Sequence, residues 1–230
     1  MIEEFKQEMM KSFEMSDLGL LHYFLGMEVC QDDGIFISQK KYAEDLLKRF
    51  NVADCKLVAT PLIANEKLKE EDGEKLTDGA TYRSLIGSLL YLTSTRPDLM
   101  FATSMLSRFM QNPNQVHFGA AKRVLRYVQE TLTYGISFKP CSYSKLIGYT
   151  DSDWAGSIDD MKSTLGYCFN LRFVIFSWGS EKQGSVAQST AEAEYIVVVN
   201  AVNQVIWLMR ILKDMVAKQQ LPVKIFYYNK

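Results

Sequence analysis

Apolar Ile2, Phe5, Met9, Met10 and Phe13 recur at three- and four-residue intervals, which predicts a helix over residues 2–14. Asp17-Leu18-Gly19 ends it. Two apolar runs follow, 23–29 and 35–37, joined by Gln31-Asp32-Asp33-Gly34, and an Asp-Gly pair between β-prone runs predicts a hairpin. Ser38 is placed to cap a helix reaching about Phe50, with Tyr42, Leu46, Leu47 and Phe50 on its apolar face. The pattern lapses over residues 51–80, where Thr60-Pro61 and EKLKEEDGEKLTDG predict a linker or exposed loop. Three helices come next. The first covers 81–93; the second has Pro97 in its first turn and runs to about Gln111; the third covers 116–132. The third has Phe118, Ala121, Val124, Leu125 and Val128 on one side, and Lys122, Arg123 and Arg126 on the other.

Residues 135–138 predict a short strand, and the polar join at 140–144 marks a change of pattern. Beyond it strands dominate: one over 145–151, then a hairpin over 165–171 and 173–178. A long helix over 191–216 and a last strand from Val223 to Tyr228, preceded by Pro222, complete the chain. The expected fold class is mixed α/β (α+β): a mostly helical segment over residues 1–140, then a mixed sheet with helices over residues 145–230. The strand from Val223 to Tyr228 is apolar and β-prone. Left as an uncovered edge, it is expected to pair with another chain.

Composition alters this picture little. At 230 residues the chain has room for two cores, and a net charge of −1 gives no global basic field to attract nucleic acid. The four cysteines, Cys30, Cys55, Cys141 and Cys168, form no CxxC pair and predict buried free thiols in a reducing compartment. The acidic, amphipathic start is unlike a signal peptide. Asn200, Asn203 and Gln204 interrupt the most apolar run, which predicts a buried helix rather than a membrane span. The expected location is intracellular, cytoplasmic or nuclear. Two histidines, His22 and His117, exclude a histidine-rich metal centre.

The candidate chemistry lies in acids and one basic stripe. Strand alternation puts Asp151 on the face of Ile147 and Tyr149, at a strand end where a carboxylate can meet a crevice. Asp153 lies past the strand and reads as a turn or surface acid. Ser189-Thr190-Ala191-Glu192 fits a capping box, which gives Glu192 a structural task. Glu194 projects about 200° around the helix from Glu192 and is the better metal candidate, although the helix dipole alone also explains a carboxylate there. Lys122, Arg123 and Arg126, with Arg96 and Arg108 near them in sequence, form either a phosphate-tracking surface or a solvated helix face. Asp32-Asp33 reads as turn chemistry. Trp207, Leu208, Ile211, Leu212 and Met215 read as core packing.

Longer motifs carry a family resemblance. GYTDSDWAGSIDDMKSTLGYCF, FSWGSEKQGSVAQSTAEAEYI, WLMRILKDM and PVKIFYYNK are together similar to the ribonuclease H domain of copia-type retrotransposon polyproteins. LGLLHYFLGMEV, ATPL, YRSLIGSLLYLTSTRPDLMFA and NPNQVHFGAAKRVLRYVQETLTYG resemble the C-terminal part of the reverse transcriptase and the connection of the same polyproteins. The resemblance implies a reverse-transcriptase segment over residues 1–140 and a ribonuclease H-like domain over 145–230. It also implies hydrolysis of RNA in RNA–DNA hybrids by two Mg²⁺ (or Mn²⁺) ions. By motif, Asp151 and Glu194 correspond to the first two metal-binding acids. The third acid is expected where this chain has Tyr228, and a fourth further downstream. The polymerase carboxylates are expected before Met1, and the ribonuclease H-like domain is expected to be truncated at its C-terminus. Two carboxylates facing four positive charges, with a phenol of pKa near 10 at the third position, imply an impaired nuclease. The alternative is a non-enzymatic nucleic-acid-binding or interaction module using Lys122, Arg123 and Arg126.

Overall fold

The computed structural model describes all residues except 1, 17, 18, 53, 54, 65, 72, 75–77, 141–144, 216, 218, 220, 221 and 228–230. Helix α1 spans Ile2–Ser12, with Glu3 and Glu4 in its first turn and Lys11 in its last, the charge order that favours the helix dipole. The apolar run at 23–29 is split into strands β1 (Tyr23–Phe24) and β2 (Met27–Gln31). Leu25 and Gly26 both have positive φ, 47° and 74°, and so form a tight turn between them. Tyr91 pins that turn by donating its hydroxyl to the Leu25 carbonyl. Strand β3 (Ile35–Ser38) follows the Asp32-Asp33-Gly34 turn and pairs antiparallel with β2.

Helix α2 spans Lys40–Arg49, and its N-cap is Gln39 rather than Ser38, which stays in β3. Gln39 does not cap with its side chain, because that amide is buried and used elsewhere. Its Oε1 accepts from Thr95 Oγ1 at 2.9 Å and its Nε2 donates to Tyr91 O at 3.4 Å. Glu28 on β2 takes over the capping task, accepting from the Lys41 N–H at 2.8 Å.

Helix α3 (Gly79–Leu92) is capped by Asp78, which accepts from the N–H groups of Ala80 and Thr81 at 3.0 and 3.1 Å. Tyr82, Leu85, Ile86, Leu89 and Leu92 lie on one face of it and are fully buried. Each such side chain contributes about 1.5–3 kcal/mol relative to exposure. A short 3-10 turn, Pro97–Leu99, leads into α4, which spans only Met100–Ser107. Helix α5 (Gln115–Glu130) buries Ala120, Ala121, Val124, Leu125 and Val128, and Phe118 packs at the margin. Strand β4 (Gly135–Phe138) returns to pair with β3, closing an antiparallel sheet in the order β1-β2-β3-β4.

The second sheet contains β5 (Leu146–Ser152), β6 (Thr164–Leu171), β7 (Val174–Lys182) and β8 (Lys224–Tyr227), in the order β7-β6-β5-β8. The β5–β6 and β6–β7 pairs are antiparallel, and β5–β8 is parallel. The 25-residue helix α6 (Thr190–Asp214) makes the crossover from β7 to β8. It sets Ala201, Val205, Leu208 and Leu212 against Leu146 and Phe169. Gly148 is required beneath it, since a Cβ there would lie 2.6 Å from the Phe169 ring. The Ser189 side chain accepts from the Glu192 N–H, but Glu192 reaches one residue further back than a capping box, to the Gln188 N–H at 2.7 Å. By length and composition α6 is apolar enough to cross a membrane; here one stripe of it packs on the sheet. The expected core stripe divides accordingly. Leu208 and Leu212 are buried, whereas Trp207 and Met215 are 54% and 69% exposed.

The 51–80 segment is no free linker. Leu68 is buried, and the Lys69 carbonyl lies 2.8 Å from His117 Nε2. The Asn114 N–H donates to His117 Nδ1, so Nε2 carries the proton given to Lys69. The Glu74 carbonyl accepts from the Gln115 N–H, and the Glu70 N–H donates to Asp159. The described residues of 51–78 form the expected exposed loop, without helix or strand, but its backbone is tied to the body of the protein at these points. The cysteines also differ from expectation: Cys30 and Cys55 are free but exposed, Cys168 is half-buried, and Cys141 lies outside the described residues. The join expected at 140–144 likewise falls mostly outside them.

Arg96 ties the first half together. Its guanidinium is buried and donates to both Asp98 oxygens at 2.9 and 2.7 Å, and to Thr131 O and Oγ1 at 3.0 and 2.6 Å. It also lies over the rings of Tyr127 and Tyr134. Arg96→Ala is expected to lower unfolding free energy by about 3 kcal/mol, because it strands Asp98 and the end of α5. Arg96→Lys, which lacks the planar fork, is expected to recover less than half of that. Urea unfolding followed by circular dichroism measures both.

Candidate metal and nucleic-acid site

Alternation along β5 turns Leu146, Gly148 and Thr150 toward α6, and Ile147, Tyr149 and Asp151 toward the other face. Asp151 is exposed at the strand's end, where one carboxylate oxygen accepts from the Ser152 N–H at 2.9 Å. Glu194, in the early part of α6, is buried at 9% exposure. Gln183 anchors that end of α6 by donating to Ser152 Oγ and to the Ala193 carbonyl. Among the described residues, no three His, Cys, Asp or Glu side chains group as a metal site. Tyr228 and Asn229 lie outside them. Asp153 is a turn acid here: it accepts from the Thr164 N–H and returns its own N–H to the Thr164 carbonyl at 3.1 Å.

The face carrying Asp151 opens onto a cavity of about 910 Å³. Tyr149 and Phe226 stack on its floor with centroids 5.4 Å apart and rings inclined by 19°. Tyr167 and Trp178 extend the floor, Met100 and Phe101 of α4 form the facing wall, and Asp98, Asp151 and Asp153 line the mouth. Burial raises the Tyr167 phenol, with help from Glu181, and raises the Cys168 thiol, so both stay protonated at neutral pH. Gly179, cross-strand from Tyr167, is obligatory, since a Cβ there would sit 2.5 Å from the Tyr167 ring. Sequence reading missed this cavity. The alternation of aromatics with Asp151 hinted at it, but the α4 wall comes from a distant part of the chain.

Three side chains fix the end of α3 and the α4 region against the second sheet. Trp178 Nε1 donates to Thr93 O at 3.1 Å, Ser104 Oγ donates to Ser180 O at 2.7 Å, and Arg108 donates to Thr164 Oγ1 at 3.0 Å. Desolvation pulls the Arg108 guanidinium below its usual value, against the pull of Asp153 and Asp160. Arg96 and Arg108 are thus structural, not part of an exposed basic track.

The α5 stripe is also largely engaged. Arg123 donates to Thr60 Oγ1 at 3.0 Å and Arg126 Nε to Lys56 O at 2.5 Å, strapping the 51–64 segment across the helix. Lys122 is exposed and lies 4.7 Å from the Phe118 ring centroid.

Lys182 on β7 pairs with Asp160 at 2.7 Å. Burial raises the Asp160 carboxyl, but bonds from Lys182, Ser157 and the Lys162 N–H outweigh it and leave the group below its usual 3.8. A carboxyl lowered on folding adds stability above the unfolded value and loses it as pH falls through the folded one. Asp160→Asn is therefore expected to flatten the loss of stability on acidification below about pH 4, leaving the slope above about pH 6 unchanged. Chemical unfolding across that pH range checks it.

Residues 1–64 match the family model described as reverse transcriptase (RNA-dependent DNA polymerase). The chain is 41% identical over 218 residues to the retrovirus-related Pol polyprotein from transposon RE1 of Arabidopsis thaliana, covering 94% of this chain and 15% of that protein. It is 39% identical over 227 residues to the Pol polyprotein from transposon TNT 1-94 of Nicotiana tabacum, covering 94% of this chain and 17% of that one. An uncharacterized mitochondrial protein of Arabidopsis thaliana is 37% identical over 202 residues, covering 87% of this chain and 83% of that protein. The chain thus spans about one seventh of the length of its Pol polyprotein relatives. No solved structure matches it.

Proposed function

The chain belongs to the Pol polyproteins of copia-type retrotransposons, and on that premise we propose that residues 145–230 are a ribonuclease H-like domain of impaired nuclease activity, following a reverse-transcriptase segment over 1–140. The observation carrying this reading is the mixed sheet β7-β6-β5-β8, with α6 crossing between β7 and the parallel β8 and Asp151 ending β5. An RNA–DNA hybrid is the corresponding substrate and partner, met inside the cell, in the cytoplasm or nucleus.

Divalent metal chemistry in such a site consists of activating water and stabilising the leaving oxygen. The donor set does not fit two Mg²⁺ or Mn²⁺ ions. Asp151 and Glu194 supply two negative charges against four positive ones, Asp98 is paired with Arg96, Asp153 is bonded to the Thr164 N–H, and residue 228 is a phenol, a poor ligand for a hard cation. What this chain's own residues do is bind and orient. The aromatic floor beside Asp151 offers stacking surface, and its acidic mouth repels phosphate unless a cation intervenes. A binding module built on Lys122, Arg123 and Arg126 has weaker support, since both arginines are committed to the 51–64 segment. β8 ends the sheet, with Phe226 and Tyr227 exposed, which supports self-association along the strand from Val223.

A labelled RNA–DNA hybrid with Mg²⁺ or Mn²⁺ tests the reading. The unmodified chain is expected to cleave no faster than Asp151→Asn. Calorimetry is expected to find at most one weakly held Mn²⁺ per chain, lost in Asp151→Asn and strengthened in Tyr228→Asp. Hybrid cleavage that Asp151→Asn abolishes, or two tightly held Mn²⁺ ions, refutes the impairment.

A further inference from the structure

Helix α6 has two apolar faces, and only one is used. Val197, Ala201, Val205, Leu208 and Leu212 are buried against the sheet. On the far side, Tyr195, Val199, Val202 and Ile206 are 72%, 44%, 41% and 46% exposed. At 100° per residue these four fall within a stripe about 60° wide. Their spacing, alternately four and three residues and continued by half-buried Met209, is that of a helix-pairing seam. A helix surface serving only as solvent boundary carries polar residues there.

The charges at the ends of the stripe select an occupant. Glu192 is exposed at its N-terminal end, and Arg210 and Lys213 are exposed at its C-terminal end, on the same side of the helix. In a parallel pair each group meets its own copy. In an antiparallel pair centred on Val202, Glu192 meets Arg210 and Lys213 of the other helix, Tyr195 meets Met209, and Val199 meets Ile206. The helix dipoles then oppose as well.

We propose that this face is a two-fold docking surface for a second copy of the chain, with α6 packed antiparallel on α6 through Tyr195, Val199, Val202 and Ile206. This surface is separate from the edge of β8 and does not depend on nuclease competence. Such a contact is isologous, so it closes at a dimer.

Light scattering on the full chain across a dilution series tests it directly. The expected mass at high concentration is twice the 26.3 kDa of the chain. Val202→Arg, an exposed change, is expected to raise the dissociation midpoint at least about tenfold while the helical signal is kept. Glu192→Lys is expected to weaken the dimer, and Glu192→Lys with Arg210→Glu and Lys213→Glu to restore it. In a Cys30→Ser, Cys55→Ser background, Val202→Cys is expected to oxidise to a disulfide-linked dimer faster than Asn200→Cys, which lies off the stripe. A monomer at all concentrations overturns the proposal. So does a dimer that survives Val202→Arg, and so does a monomer that floats with phosphatidylcholine vesicles, which would make the face a lipid contact.

Discussion

The buried guanidinium of Arg96 is the constraint on which the first half of the molecule depends. A cation taken out of water is costly unless each of its donors is used, and here Asp98, Thr131 and two aromatic rings use them. That commitment fixes the 3-10 turn at Pro97–Leu99 against the end of α5. The same turn sets the direction of α4, and α4 carries Met100 and Phe101 to the cavity and Ser104 and Arg108 to the second sheet. One interaction near the middle of the chain thereby governs how two apolar cores, around Tyr82 and around Phe169, are held side by side.

Around that frame the polar side chains do unexpected work. Gln39 spends its amide on Thr95 and Tyr91, leaving Glu28 to satisfy the start of α2. His117 both completes the cap of α5 and holds the Lys69 carbonyl, so the 51–80 segment is drawn onto the helix it seemed to bypass. Arg123 and Arg126 do the same further along. A basic stripe that looks available for phosphate in sequence is, in the folded chain, mostly a clamp on Lys56 and Thr60 of the preceding loop.

The cavity gathers aromatic and acidic side chains at the end of β5. Strand β5, its parallel neighbour β8 and the crossover α6 keep a strand-end acid facing an open crevice. Beside Asp151 lies a stacked aromatic floor, and the two other carboxylates at the mouth are already engaged, Asp98 by Arg96 and Asp153 by the Thr164 N–H.

Sequence alone determined the family, the helix and strand types, and the alternation that puts Asp151 beside Tyr149, because periodicity and motif order are local properties of the chain. It also placed the caps within a residue or so, failing at Gln39, where Thr95 and Tyr91 claim the side chain, and at Glu192, which reaches one residue further back to Gln188. The split of 23–29 needed two consecutive left-handed residues, one of them Leu25, which composition does not advertise. Only the tertiary structure decided that Arg96 is buried and Arg108 half-buried against Thr164, that the polar 51–80 segment is strapped down, and that Trp207 faces outward while Leu208 faces in. Each of those outcomes depends on which distant backbone carbonyl or apolar surface reaches the residue first, and no pattern within a short window contains that information.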